Sequence, residues 1–175
     1  MPAHRFAMSV GLCVWLTACM PPARRPGFGA LPEPVAPTIL NPPGIPTLEG
    51  FSTAVRVGFT VYISGQVALD SGAAVVGPGD LRAQSRQALA NLVSVVRAAH
   101  GVPGDVVKLS FYVVRSRPED VRMLGQVAGE FFPPAGPPAV TVVGVERLPL
   151  DSLLVSVDGV AVLRGEFPDR ERDRR

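Results

Sequence analysis

Histidine and cysteine, which often supply a catalytic base or nucleophile, are nearly absent from this sequence. It has two of each, and His4, Cys13 and Cys19 fall within the first twenty residues. His100, the remaining histidine, follows a predicted helix, where an imidazolium would favour the negative end of the helix dipole. A serine or cysteine triad is therefore not expected, and no cluster has metal-ligand spacing. Gly77-Pro78-Gly79 lacks the lysine of a phosphate-binding loop.

Cys19 ends a segment with the features of a bacterial lipoprotein signal peptide. The uncharged apolar run Phe6–Ala18 is too short for a membrane span, which needs ~20 residues, but it fits a signal-peptide core. Its end, Leu16-Thr17-Ala18-Cys19, resembles a lipobox, in which the cysteine thiol takes a diacylglycerol. Cleavage before Cys19 would discard Cys13 and leave no free thiol or disulfide, as suits an oxidising compartment.

This interpretation predicts the layout of the chain. Residues 1–18 are the signal peptide, residues 19–37 a proline-rich tether from lipidated Cys19, residues 38–163 a folded domain, and residues 164–175 a charged tail. Met20 follows the cysteine where an aspartate would signal inner-membrane retention. The expected location is therefore the bacterial cell envelope, on the periplasmic face of the outer membrane. An ordinary signal peptide or an upstream start codon are the alternatives.

Length and composition indicate one globular domain. The chain has 175 residues, of which 47% are hydrophobic and 18% are charged. Its 17 basic residues nearly balance its 15 acidic residues, so no general attraction to nucleic acid is expected.

Hydrophobic periodicity predicts an alternation of strands and helices. The predicted strands are Phe51–Val57, Phe59–Ser64, Val67–Leu69, Val106–Val114, Ala139–Val145 and Leu153–Val162, and Thr38–Leu40 could pair with them as an additional first strand. The helices are Leu81–Ala99, capped by Asp80, and Ser116–Phe132, begun by a Ser116–Glu119 capping box. The order β-β-β-α-β-α-β-β predicts a mixed sheet with two helices on one face. The other face is expected to expose Val140, Val142, Val155 and Val157, which predicts an oligomer.

Three motifs in this order resemble those of the RidA/YjgF family. They are Tyr62-Ile63-Ser64-Gly65-Gln66, the helical stretch Gln84–Leu92, and Arg147-Leu148-Pro149 followed by Val157-Asp158-Gly159-Val160-Ala161-Val162. The resemblance covers about Ile39 to Val162. It implies an α+β, chorismate-mutase-like fold with a mixed six-stranded sheet, assembled as a homotrimer with ligand clefts between subunits.

The best-known branch of this family hydrolyses 2-imino acids to 2-keto acids and ammonia. There an arginine holds the substrate carboxylate, while an acid, a serine and an aromatic residue place substrate and water. By resemblance these positions fall on Val140, Asp158, Ser64 and Phe51. The clamp arginine is thus a valine, the acid is one methylene shorter than glutamate, and the aromatic residue lacks the tyrosine hydroxyl.

Each carried-over residue also has a structural interpretation. Ser64 could serve only the turn, and Asp158 could pair with a neighbouring subunit. Arg147 could reach into the cleft or form a surface or interface salt bridge. Gly65, Gln66 and Val142 complete the predicted cleft, and Ser64 and Asp158 are its candidate catalytic residues.

Two functions follow from the resemblance. The first is a membrane-anchored trimer that binds a small metabolite in its intersubunit clefts without deaminase activity. The second is an imine or enamine hydrolase of the 2-iminobutanoate/2-iminopropanoate deaminase type, with a substitute for the missing arginine. A purely structural envelope trimer is a third possibility. No cofactor and no metal are expected.

Overall fold

The computed structural model describes residues 35–134 and 136–164. The elements are β1 (Thr38–Leu40), β2 (Ala54–Val57), β3 (Thr60–Val67), α1 (Leu81–Ala98), β4 (Val106–Val114), α2 (Pro118–Gly129), β5 (Ala139–Val145) and β6 (Val155–Val162). The sheet order is β1-β2-β3-β6-β4-β5, and only the β4–β5 pair is parallel. This confirms the predicted α+β fold with a mixed six-stranded sheet and two helices. Cys19, the predicted signal peptide, the tether up to residue 34 and the tail from residue 165 lie outside the described residues.

Both helices pack on one face of the sheet and form the core with it. Leu89 and Leu92 of α1 are fully buried against the sheet, as are Leu124 and Val127 of α2. The two helices are joined by a bidentate ion pair in which Arg86 donates to both carboxylate oxygens of Glu130 at 2.7 Å. The other face of the sheet has no covering element within the described residues, and we call it the open face.

The predicted face of β6 is wrong. Val155 and Val157 are completely buried under the helices, whereas the half-buried residues between and after them, Ser156 and Asp158, point to the open face. Alternation with a period of two defines two faces of a strand but does not say which is covered. Because β6 lies in the middle of the sheet, its most apolar face packs against the helices.

The predicted face of β5 is wrong for the same reason. Val140 and Val142 pair with Leu109 and Phe111 of β4, which are buried on the helix side. Val142 packs against the core, but Val140 is 51% exposed because β5 is an edge strand. Both valines therefore lie on the helix side of the sheet and not on the open face.

The open face nevertheless exposes apolar side chains, although not the predicted ones. Strand register places the following on it: Ile39, Val55, Val57, Tyr62, Val143, Val160 and Val162. Ile39 and Tyr62 are more than half exposed, and Val143 and Val162 are each 39% exposed. A sheet face of this kind is typical of a protein surface that another chain covers.

Several predicted boundaries shift in the structure. β3 runs on to Val67, so the separate strand predicted over Val67–Leu69 does not form. Asp80 does cap α1, accepting a hydrogen bond from the Ala83 amide at 3.0 Å. At the start of α2 the carboxylate that accepts from the Arg117 amide, at 2.7 Å, belongs to Asp120 rather than to Glu119.

Gln84 fastens the loop before β6 to α1. Its buried side chain donates to the Ser152 carbonyl at 2.8 Å and accepts from the Leu154 amide at 2.7 Å. Gln84→Ala would leave both backbone groups without a partner and open a cavity, so it should lower the free energy of unfolding by roughly 2–4 kcal/mol. Urea denaturation measures this, with the exposed Ser94→Ala in the same helix as control, expected within about 0.5 kcal/mol of wild type. Equal effects of the two substitutions would contradict this role of Gln84.

Candidate functional site

A β-bulge places the predicted site residues of β3 opposite Asp158. Ile63 pairs with Gly159 and Gln66 pairs with Val157, so Ser64 and Gly65 together face the single residue Asp158 of β6. Such a bulge leaves local backbone outside the regular ladder and changes the direction of side chains. The sequence Ser64-Gly65-Gln66 therefore lies beside Asp158, in the middle of the sheet.

The bulge is fixed by hydrogen bonds from its own residues. The Ser64 amide and the Ser64 hydroxyl both donate to the Thr53 carbonyl at 2.9 Å. The buried Gln66 side chain donates to the Ser64 carbonyl at 3.0 Å. These contacts match the structural interpretation of Ser64, and its hydroxyl oxygen retains the capacity to accept from a ligand.

Gly65 lies against the Ser156 side chain of β6. A Cβ atom at Gly65 would lie 2.5 Å from the Ser156 hydroxyl oxygen, closer than real Cβ contacts. Ser156 is thus a neighbour of the bulge that sequence reasoning missed. Alternation along β6 puts Ser156 and Asp158 on one face, but only the pairing with β3 shows that the Ser156 hydroxyl reaches Gly65.

Asp158 has a phenol as its partner. The Tyr112 hydroxyl donates to Asp158 Oδ2 at 3.0 Å, and both side chains are half-buried on the open face. This hydrogen bond and the negative charge of the carboxylate raise the pKa of Tyr112 above its usual value. The pair can hold a water molecule or a polar ligand group, because the second carboxylate oxygen remains available. Tyr112 was not among the residues predicted from the sequence.

Phe51 is close in sequence to a residue that contacts the bulge. It precedes Thr53, the residue that accepts from Ser64, by two positions, and its side chain is 71% exposed. Its amide donates to the Leu48 carbonyl at 3.1 Å, which closes the turn before β2. An aromatic ring this exposed is available to a ligand or to another chain.

The remaining predicted site residues lie elsewhere in the same chain. Val140 and Val142 are on the helix side of β5, the opposite side of the sheet from Asp158. Arg147 follows β5 by two residues and is seven residues from Val140, roughly 23 Å along an extended chain. Within one chain Ser64 and Gly65 therefore lie opposite Asp158, whereas the Gln66 side chain, paired with Val157, is buried on the helix side. Val140 and Val142 lie on that helix side too, at the edge strand, and Arg147 lies beyond the end of β5. A cleft containing Asp158 and Val140 requires residues from two chains.

The described residues contain no group of three or more histidine, cysteine, aspartate or glutamate side chains that could hold a metal ion. Over the same part of the chain, neither helix combines the length and apolar character needed to cross a bilayer.

Comparison with known proteins assigns the domain. The model of the family described as Endoribonuclease L-PSP, which includes the RidA and YjgF proteins, matches residues 44–163. A 2-iminobutanoate/2-iminopropanoate deaminase of Dermatophagoides farinae is 32% identical over 130 residues, 74% of this chain and 92% of that relative. The chain belongs to the RidA/YjgF family.

Other RidA/YjgF relatives agree with the assignment. A RutC family protein of Sulfurisphaera tokodaii is 35% identical over 107 residues, 59% of this chain and 81% of that relative. The crystal structure of RidA from the Antarctic bacterium Psychrobacter sp. is similar with a TM-score of 0.63 at 28% identity, covering 72% of this chain and 98% of that one. The RidA fold thus accounts for all the described strands and both helices, with Asp158 in its central strand and Val140 in its edge strand.

Proposed function

We propose that this RidA-family domain binds a small uncharged metabolite in clefts between the subunits of a homotrimer and does not hydrolyse 2-imino acids. The observation that carries the proposal is Val140, which stands at the position where the family resemblance expects the carboxylate-binding arginine. A bidentate arginine–carboxylate contact is charge-assisted and directional, and valine supplies neither charge nor donor. A substrate carboxylate left without a partner in a cleft costs roughly 1–3 kcal/mol or more.

Valine in place of arginine at position 140 would affect ligand binding because the side chain is accessible. Its side chain is half exposed at the free edge of the sheet, so it is open to a ligand or to a second chain. Asp158 with Tyr112, the Ser64-Gly65 bulge and Phe51 would form the other wall of the cleft from a neighbouring subunit. The cleft would then combine an apolar edge with a few hydroxyl and carboxylate groups, which suits a small polar but uncharged ligand.

Ligand preference tests this proposal directly. 2-Oxobutanamide and 2-oxobutanoate differ only at one end, which is a neutral amide in the first and a carboxylate in the second, so titration of each by ligand-observed NMR probes the clamp position. Wild type should prefer the amide, and Val140→Arg should reverse the preference by about tenfold or more, corresponding to at least ~1.4 kcal/mol. Tighter binding of the carboxylate by the wild type would contradict the proposal.

The proposal includes a homotrimer for two reasons. The open face exposes apolar side chains that a neighbouring chain would cover, and Asp158 and Val140 lie on opposite sides of the sheet within one chain. The domain comprising residues 37–164 should sediment as a single species of three times the monomer mass at micromolar concentration. Tyr62→Lys, which places a charge among the exposed apolar side chains of the open face, should weaken the assembly, whereas Val102→Lys, at an exposed loop position, should not. A folded monomeric wild type would show that the open face is not an interface.

Anchoring through Cys19 completes the proposal. The lipobox-like Leu16-Thr17-Ala18-Cys19, the apolar run before it and the proline-rich stretch after it support a lipid-anchored envelope protein. Such a location would separate the domain from the mostly cytoplasmic enzymes that release 2-imino acids. The separation agrees with a binding role.

The second candidate function is imine or enamine hydrolysis with a substitute for the arginine. It is favoured by the similarity to the Dermatophagoides farinae 2-iminobutanoate/2-iminopropanoate deaminase at 32% identity, and Asp158 and Tyr112 form a polar pair able to hold water. Arg147 follows the end of β5, whereas Val140 lies at its beginning, so this function calls for a cation from another subunit. Nuclease activity, which the name of the family model suggests, is disfavoured by the near balance of basic and acidic residues.

A further inference from the structure

A second groove, separate from the proposed cleft, opens at the end of the sheet where β4 and β5 terminate. It has a volume of about 630 Å³ and is lined by the start of α1, the turn between β4 and α2, and the loop between β5 and β6. Its charged lining residues are Arg115, Arg117, Arg147, Asp120, Glu146 and Asp151. Arg147 thus belongs to this groove, and none of the other residues of the proposed cleft lines it.

The backbone around the groove is held in place by hydrogen bonds. The Val114 amide donates to the Leu154 carbonyl at 2.9 Å, and the Arg115 amide donates to the Val145 carbonyl at 3.0 Å. Gln84 fixes the Leu154 amide from the helix side at 2.7 Å. The ends of β4, β5 and β6 are therefore joined, and the side chains that leave them start from fixed positions.

Arg115 occupies an unusual backbone conformation at this point. Its φ is +49°, in the left-handed region that non-glycine residues rarely adopt. Strain of this kind concentrates at functional sites. Arg115 also stands beside the loop that carries Arg147, since β4 and β5 are parallel neighbours and the Arg115 amide is bonded to the last residue of β5.

The guanidinium groups of the groove are available to a ligand. Within residues 35–134 and 136–164, neither Arg115 nor Arg147 takes part in an ion pair. Arg117 approaches Glu119 only at 3.9 Å, and the two side chains are 75% and 68% exposed, so this contact is weak.

The carboxylates of the groove are not equivalent. Asp120 accepts from the Arg117 amide at 2.7 Å and serves the start of α2. Glu146 and Asp151 form no ion pair within the described residues, so they can receive a cation. A purely anionic ligand would meet these two carboxylates, whereas a ligand with charges of both signs would find a partner for each.

We infer that this groove binds a zwitterionic small molecule, an amino acid or a short peptide. Arg115 and Arg147 receive its carboxylate, and Glu146 and Asp151 receive its ammonium group. Guanidinium groups bind carboxylates through paired, directional hydrogen bonds. The site does not depend on the ligand proposed for the intersubunit cleft, which is uncharged and contacts other residues.

Binding of L-alanyl-L-alanine to the detergent-solubilised full chain tests this inference by calorimetric titration. N-acetyl-alanyl-alanine lacks the ammonium group and alanyl-alanine amide lacks the carboxylate, so each should bind at least tenfold more weakly than the parent dipeptide. L-Alanine, titrated in parallel, distinguishes a single amino acid from a peptide as the preferred ligand. Absence of saturable binding of both zwitterions by roughly 10 mM would overturn the inference.

Variants locate the binding site. Arg115→Gln combined with Arg147→Gln should weaken dipeptide binding at least tenfold, whereas Arg97→Gln, at an exposed position in the last turn of α1, should leave it unchanged. If the double variant unfolds, Arg147→Gln alone serves as the test variant. Arg147 is exposed and lies outside the strands, so its substitution should not affect folding. Unchanged binding in folded variants, or equal binding of the blocked peptides, would overturn the inference. 2-Oxobutanamide binding should be the same in all these variants, so failure of the groove and failure of the proposed cleft are distinguishable.

Discussion

Val140→Arg should give the domain hydrolysis of 2-iminopropanoate that the wild type lacks, with kcat/KM rising about ten- to a hundredfold above the wild-type background. An arginine at this position would pair with the substrate carboxylate, and a contact of roughly 1–3 kcal/mol corresponds to that range. It would also orient the imine carbon toward the residues that hold water, so kcat and KM should both improve. Val140 is half exposed at a sheet edge, so the longer side chain fits without crowding the core.

A matched variant separates this effect from a general gain of positive charge. Val102→Arg adds the same side chain at a site that is 59% exposed and lies outside the sheet, so it should leave the rate at the background level. The gain in Val140→Arg should disappear when Asp158→Asn is added, because the proposed water-holding carboxylate is then lost. A folded Val140→Arg variant with no gain would contradict the assignment of residue 140 as the clamp position.

Cys19→Ala should move the protein from the membrane fraction to the soluble fraction and abolish incorporation of labelled palmitate. Each buried methylene of an acyl chain contributes ~0.8 kcal/mol, so two or more chains hold a protein firmly on a bilayer. The variant has no acylation site after the proposed cleavage position, so release should be nearly complete.

Cys13→Ala is the control for this experiment. Cys13 lies inside the segment that cleavage before Cys19 removes, so the variant should be labelled and membrane-bound like the wild type. A wild type that remains soluble and unlabelled in a bacterial host with lipoprotein processing would refute the anchor. Loss of labelling in Cys13→Ala would show that Cys13, and not Cys19, carries the lipid.

The helices illustrate what the sequence could predict. The apolar spacing of Leu89, Leu92 and Val96 and the cap at Asp80 are local features, and α1 forms where they indicate. α2 begins at Pro118, two residues later than predicted, and the Arg117 amide donates its capping hydrogen bond to Asp120. The predicted partner was Glu119, and only the backbone geometry shows that the neighbouring Asp120 accepts the hydrogen bond instead.

The sequence did not predict which face of each strand the helices cover. Val155 and Val157 were expected on the uncovered face, but they are fully buried under the helices. The reason is that Ser156 and Asp158 alternate with them, and the more polar set is left for the open face. Which set meets the helices depends on the place of β6 between β3 and β4, and this is a long-range property of the sheet.

The candidate site was predictable only in part. The residues Ser64, Gly65, Gln66 and Asp158 were named from the family resemblance; Ser64 and Gly65 do lie opposite Asp158, but the Gln66 side chain is buried on the helix side. Tyr112, in contrast, lies 46 residues from Asp158, and no local pattern links the two. The separation of Val140 from Asp158 across the sheet likewise follows from strand pairing rather than from any motif.

The most direct test of the central claim is the decay of 2-iminopropanoate, generated in a coupled assay by an amino acid oxidase, in the presence and absence of the purified wild-type domain. The binding role proposed here predicts that the imine disappears at the same rate in both. Decay well above the blank, proportional to the concentration of the wild-type protein, would contradict it and would show that another cation replaces the missing arginine.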